Sequence, residues 1–130
     1  MLKPPPESCI RAAEVRLGIE FPPTYRARLL SENGGSVEIG DTWWDLYPVA
    51  DDSEPNRIGP TWDHVCRQTE LARLLGGFPV TAIAIGEDGS GDRLVMLRRR
   101  DDGPFELAVW KVDTGDLQWT VDAVDAVFAG

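Results

Sequence analysis

The sequence predicts an α+β domain in which helices pack against one face of a largely antiparallel sheet. Three observations carry this. Apolar residues recur at helical spacing near the start of the chain and again in its middle. The second half alternates short β-branched and aromatic runs with turns rich in Gly and Asp. The length, 130 residues, suits one hydrophobic core. A single domain over residues 1–130 is expected, with residues 1–7, "MLKPPPE", as a flexible leader.

Each element has its own signal. Ser8 is placed to cap a first helix over residues 9–17, where Ile10, Ala13 and Leu17 share a face and Gly18 supplies the stop. Pro22 bars helix before it and Pro23 suits a first helical turn. Tyr25, Leu29 and Leu30 mark the inner side of that second helix, which "ENGG" (Glu32–Gly35) ends. Ser36–Ile39 and Trp43–Val49 read as strands, with Pro48 at an end or edge. Residues 51–56 form a surface loop by composition. From Pro60 to Leu75 the residues Trp62, Val65, Cys66, Thr69, Ala72 and Leu75 keep the helical period, predicting the longest helix, closed by Gly76-Gly77. Strands follow at Val80–Ile85, Arg93–Leu97, Phe105–Val112 and Leu117–Val121, joined by short turns into a meander. Asp122 caps a last helical turn or two, in which Val124, Val127 and Phe128 face one way. The other face of the sheet is expected to be partly open.

Composition excludes several function classes. A net charge of −9 repels phosphate backbones, so neither nucleic acid nor an anionic membrane is expected as a partner, and a basic protein fits better. The start has no signal-peptide core, and no apolar run approaches the ~20 residues of a membrane span, so the expected location is the cytoplasm. Cys9 and Cys66 read as buried, reduced thiols. From Leu29 to Asn56 there are seven acids (Glu32, Glu38, Asp41, Asp45, Asp51, Asp52, Glu54) and no Lys or Arg. That asymmetry is either a solvated surface or a binding surface.

The loop "GEDGSGD" (Gly86–Asp92) invites three chemical readings, and each fails. As a calcium loop, Asp88, Ser90 and Asp92 alternate correctly, but Arg93 stands where Gly is needed and Arg99 where Glu is needed. As a phosphate cradle it carries three carboxylates and precedes a strand. As a nucleophile elbow its glycines are adjacent to Ser90 instead of two residues away. A structural turn remains, with Gly86, Gly89 and Gly91 allowing positive φ and Asp88 and Asp92 accepting backbone N–H groups. Enzymatic chemistry is no easier to assemble. His64 is the only histidine, Cys66 points elsewhere two residues along a helix, and Asp51-Asp52 and Asp101-Asp102 read as solvated pairs. No metal, cofactor or catalytic residue is expected.

Of the five tryptophans, Trp62, Trp110 and Trp119 read as core. Trp43-Trp44 are adjacent on a strand, so one can be buried while the other meets solvent; both buried is the alternative. An exposed Trp flanked by Asp41 and Asp45 would anchor an interface that acids steer toward a basic partner.

"AAEVRLGIEFPPTYRARLLSENGG" (Ala12–Gly35) resembles the opening of the SUKH superfamily, and "IAIGEDGSGDRLVM" (Ile83–Met96) is similar to that family's second hallmark. With "VWKVD" (Val109–Asp113) and the closing helix the resemblance spans nearly the whole chain. It implies the SUKH (SMI/KNR-like) α+β fold. It also implies fold-determining roles for Pro22, Tyr25, Leu29, Asn33, Gly34, Gly35, Gly91 and Asp92. The superfamily includes a fungal regulator of cell-wall assembly and bacterial immunity proteins that neutralise polymorphic toxins, often nucleases. The resemblance thus implies a non-enzymatic immunity protein that occludes a cognate toxin with a basic surface, with a regulatory or scaffold module as the alternative. The expected contact residues are Asp41, Trp43, Trp44, Asp45, Asp51, Asp52 and Glu54, with Glu87 and Asp88 on the loop tip as second choice.

Overall fold

A computed structural model describes residues 2–120 and 122–128 of the chain. The first helix, α1 (Glu7–Leu17), starts two residues earlier than Ser8 capping would allow, with Pro6 at the cap position and no side-chain cap. Pro5 is buried, so the expected leader merges into the packed domain. Helix α2 (Pro23–Ser31) opens with Pro23 in its first turn. The corner between them is held by the buried Glu14 carboxylate, which accepts the Phe21 N–H at 2.8 Å and faces the Arg26 guanidinium at 3.4 Å. Tyr25 and Leu29 point inward as expected, whereas Leu30 is exposed: the buried stripe of α2 repeats every four residues and leaves position 30 beside it.

Six strands follow in simple meander order, all antiparallel: β1 (Ser36–Ile39), β2 (Thr42–Leu46), β3 (Ile83–Glu87), β4 (Arg93–Arg98), β5 (Phe105–Trp110) and β6 (Leu117–Trp119). The expected end of the last strand, residue 121, lies outside the described residues. Between β2 and β3 come α3 (Pro55–Ile58) and α4 (Val65–Arg73), and α5 (Val124–Phe128) closes the chain. Helix α4 lies on β3, α5 on β5, α1 on α4 and α2 on α5.

Strand register assigns side chains to two faces. Val37, Ile39, Trp44, Leu46, Ile83, Leu94, Met96 and Leu107 share one face, and all are buried. On the other face the central residues Ala84, Val95, Ala108 and Trp110 are buried too, and Phe78 from the α4–β3 connection meets Trp110 edge-on at 5.2 Å. The second face is open toward β1 and β2, out to the exposed Glu87 at the end of β3.

The predicted helix over residues 60–75 is shorter than its periodicity suggested. Residues 59–63 are turns and bends, and the helix starts at Val65 with His64 as its cap. Thr61 is the cause: its buried hydroxyl donates to the Arg57 carbonyl at 2.8 Å and accepts the Asp51 N–H at 3.0 Å, tying this stretch to α3. Helix α1, at 11 residues, is longer than α4, at 9. Trp62, expected in the core, consequently stands in solvent, 58% exposed.

The Asn-Gly-Gly segment has a physical reason. Asn33 is buried, and its side-chain amide donates to the Val49 carbonyl at 3.0 Å and accepts the Val49 N–H at 2.8 Å, standing in for a strand neighbour. Gly34 follows at φ 95°, where a Cβ would meet the Leu46 carbonyl oxygen at 3.2 Å. Gly86 serves differently from expectation. Its φ is not positive; instead a Cβ there would sit 2.8 Å from the Asp45 carbonyl oxygen, so glycine lets β2 and β3 approach beside a bulge at Ala84–Gly86.

Candidate interaction surface

The β1–β2 hairpin carries the open part of the sheet. Ile39 pairs with Thr42 across a two-residue Gly40-Asp41 turn, which sets Glu38 opposite Trp43 and Ser36 opposite Asp45. Asp45 in turn lies opposite Glu87 on β3. Because Ser36, Glu38, Trp43, Asp45 and Glu87 share the outer face, an indole 62% exposed stands among three carboxylates, with Asp41 exposed in the turn beside them. Asp45 and Glu87 are 42 residues apart in sequence, yet like charges directly opposite on a sheet weaken it. Arg93, opposite Glu87 on β4, is the next charge in the row. Tyr47 lies beside Glu87 and Arg93, and burial, reinforced by Glu87, raises its hydroxyl well above the usual tyrosine range.

The expected contact residues divide into three groups. Asp41, Trp43, Asp45 and Glu87 come together on this one face, with Asp88 following Glu87 into the β3–β4 turn. Trp44 and Asp51 are corrections. Trp44 is 3% exposed, because alternation along β2 that turns Trp43 outward turns Trp44 into the core. Asp51 is 2% exposed, and its carboxylate accepts from the Ser53 N–H at 3.0 Å and faces the Arg57 guanidinium at 3.2 Å. Burial alone would raise the Asp51 carboxyl, but the Ser53 and Arg57 hydrogen bonds outweigh it and hold it below the usual aspartate value. Both side chains are buried, and neither lies on the outer face of the hairpin. Asp52 and Glu54 are exposed but belong to another neighbourhood: Asp52 beside the Cys9 thiol, Glu54 paired with Arg57 at 2.9 Å. Glu38, absent from the expected contact residues, stands opposite Trp43 on this face, a position that the Gly-Asp turn signal together with the strand period would have given.

The "GEDGSGD" loop is a braced turn. One Asp88 carboxylate oxygen accepts from the Ser90 N–H at 3.0 Å and from its hydroxyl at 2.6 Å. Asp92 reaches across to the end of β5, accepting from Lys111 Nζ at 2.9 Å and the Val112 N–H at 3.1 Å. The Lys111 bond is the main reason its carboxyl titrates below the usual aspartate range. This brace ties the β3–β4 turn to the end of β5.

The nucleophilic and titratable groups elsewhere are tied to structure. His64 Nδ1 accepts the Arg67 N–H at 3.1 Å, capping α4; burial, with Arg16 nearby, lowers its pKa. Cys9 and Cys66 are free and buried, and burial pushes the Cys66 thiol up to about 11 and raises that of Cys9. Both line a cleft of about 370 Å³ between α1 and the start of α4, together with Arg16, Asp52 and His64. Among the described residues no group of three or more His, Cys, Asp or Glu is placed to hold a metal ion. No helix among them is long and apolar enough to cross a membrane.

No curated protein and no solved structure matches the chain. A family model described as SMI1 / KNR4 family (SUKH-1) matches residues 4–127. The match takes in both opening helices, all six strands and most of the closing helix, and the chain belongs to the SMI1 / KNR4 family (SUKH-1).

Proposed function

We propose that the chain is an immunity protein that neutralises a cognate toxin by covering a basic active-site cleft with the outer face of its β1–β2 hairpin. One observation supports this most: Trp43 is left 62% exposed among Glu38, Asp45 and Glu87 on a single sheet face. An indole in solvent costs hydration free energy that a partner can recover, and Trp is enriched among binding hot spots. The surrounding carboxylates speed encounter with a cationic cleft and reject acidic surfaces. The net charge of −9 extends that steering field beyond the hairpin. Trp43 enters the cleft, Asp45 and Glu87 pair with its cations, and the substrate is excluded by volume, with no chemistry on the inhibitor. A nuclease suits this mechanism, since its cleft must attract phosphates. The partner protein shares the compartment of this chain, the cytoplasm.

An affinity capture from the organism of origin tests the proposal, using the intact chain beside a Trp43→Ala, Asp45→Asn, Glu87→Gln variant. The expected result is a basic toxin domain retained by the intact chain alone, whose toxicity on expression is relieved by the intact chain and not by the variant. Equal capture and equal protection by both would refute the hairpin as the interface. Recovery of a host regulator with no toxic activity would favour a scaffold role instead.

A further inference from the structure

The Asn33-Gly34 pair is a chemical weak point that the fold covers. In a flexible chain the backbone nitrogen that follows an asparagine can reach the carbon of its side-chain amide, and glycine, having no Cβ, leaves that approach unhindered. The Gly34 nitrogen then bonds to Asn33 Cγ, the Gly34 proton leaves with the side-chain nitrogen as ammonia, and a cyclic succinimide remains. Water opens the ring at either carbonyl, leaving aspartate or isoaspartate at this position. Of the two asparagines in the chain, only Asn33 precedes a glycine; Asn56 precedes Arg57.

The folded chain holds this attack off. Asn33 is 1% exposed, and its amide is engaged on both sides, donating to the Val49 carbonyl at 3.0 Å and accepting the Val49 N–H at 2.8 Å. Turning Cγ back toward Gly34 breaks both bonds and leaves two buried backbone groups unpaired. Gly34 is itself buried, and even a Cβ there would meet the Leu46 carbonyl oxygen at 3.2 Å, which leaves little room for the ring or for the water that opens it. The products do not fit the site either. In aspartate an oxygen replaces the donor nitrogen 3.0 Å from the Val49 carbonyl oxygen, so two acceptors meet in a buried place. Isoaspartate adds a methylene to the backbone beside the close-packed Gly34. We propose that Asn33 is a deamidation site gated by the fold: intact while α2, β1 and the Val49 segment stay together, converted when they open, and a bar to regaining the original stability afterwards. The modification turns a reversible opening into a permanent one. It involves no residue of the hairpin's outer face and holds whatever partner that face meets.

Incubation of the full chain in mildly alkaline buffer, folded and unfolded in urea, tests this, with the gain of one mass unit localised to residue 33 by peptide fragmentation. Reaction follows the population of the open form, so the folded chain should deamidate at least about a hundredfold more slowly than the unfolded one. At intermediate urea the rate should rise in step with the unfolded fraction. The separated deamidated chain, returned to native buffer, should show a urea midpoint lower by about 1 M or more, or fail to refold, and Asn33→Asp should reproduce that loss. Equal rates in the folded and unfolded chain, no deamidation at residue 33 in urea, or a deamidated chain with an unchanged midpoint would overturn the proposal.

Discussion

Replacing each of the adjacent tryptophans by alanine separates the two faces of the hairpin. Trp44 is 3% exposed, and its indole removes roughly 200 Å² from water, which at ~25 cal/mol per Å² corresponds to about 5 kcal/mol. Part of that area belongs to atoms that alanine keeps, so Trp44→Ala should cost about 3–5 kcal/mol, the range for large-to-small core changes. Trp43 is 62% exposed, leaving less than half the area to lose, and Trp43→Ala should cost about 1–2 kcal/mol. Urea unfolding reads the difference. With a slope of roughly 2 kcal/mol per molar, Trp44→Ala should lower the midpoint by about 2 M and Trp43→Ala by no more than about 1 M. Equal losses for the two variants, or a larger loss at Trp43, would mean that the register of β2 is wrong and that the exposed aromatic surface does not exist.

Other predictions concern the interior. Asn33→Ala should cost about 2–5 kcal/mol by urea unfolding, because it leaves both the N–H and the carbonyl of buried Val49 unpaired; a loss under about 1 kcal/mol would deny the clamp its role. His64 has a pKa lowered from 6.5 in the fold, so the unfolded chain binds its proton first as pH falls. Its contribution is complete well above pH 6.5 and is lost as pH drops through that value toward the folded one. Thermal melts from pH 8 to pH 5 should show that slope, and His64→Asn, which keeps a capping side chain, should flatten it; an unchanged slope would assign the titration elsewhere. Cys9 and Cys66, buried with raised pKa values, should react with a thiol reagent at pH 8 only after denaturation, and rapid labelling of the native chain would contradict their burial.

Legibility in the sequence followed the range of the interaction. The strands around Ser36–Ile39, Arg93–Arg98 and Phe105–Trp110 were readable because alternation and turn residues are local signals. The same alternation allowed one of Trp43 and Trp44 to face solvent but left open which one, and left open that both were buried; the register of β1 against β2 turns Trp43 outward. Trp62 was misplaced because a helical period running through Pro60–His64 hides a cap, and only the Thr61 bonds to Arg57 and Asp51 show where the helix starts. Asp51 looked solvated because Ser53, Arg57 and Thr61 enclose it only after α3 folds back. The pairing of Asp45 with Glu87 depends on the register of β2 against β3 across two intervening helices, which no local pattern encodes. Glu87, a second choice from the sequence, thereby joins Asp45 and Trp43 on the same face of the sheet.

The most direct test of the account is competition binding between the captured toxin domain and the chain, intact and as Trp43→Ala. The account predicts that Trp43→Ala weakens binding at least about thirtyfold while its urea midpoint stays within about 1 M of the intact chain, since a docked indole is a hot spot and an exposed one is not a core residue. Unchanged affinity in a correctly folded Trp43→Ala variant would contradict it and place the interface on another face.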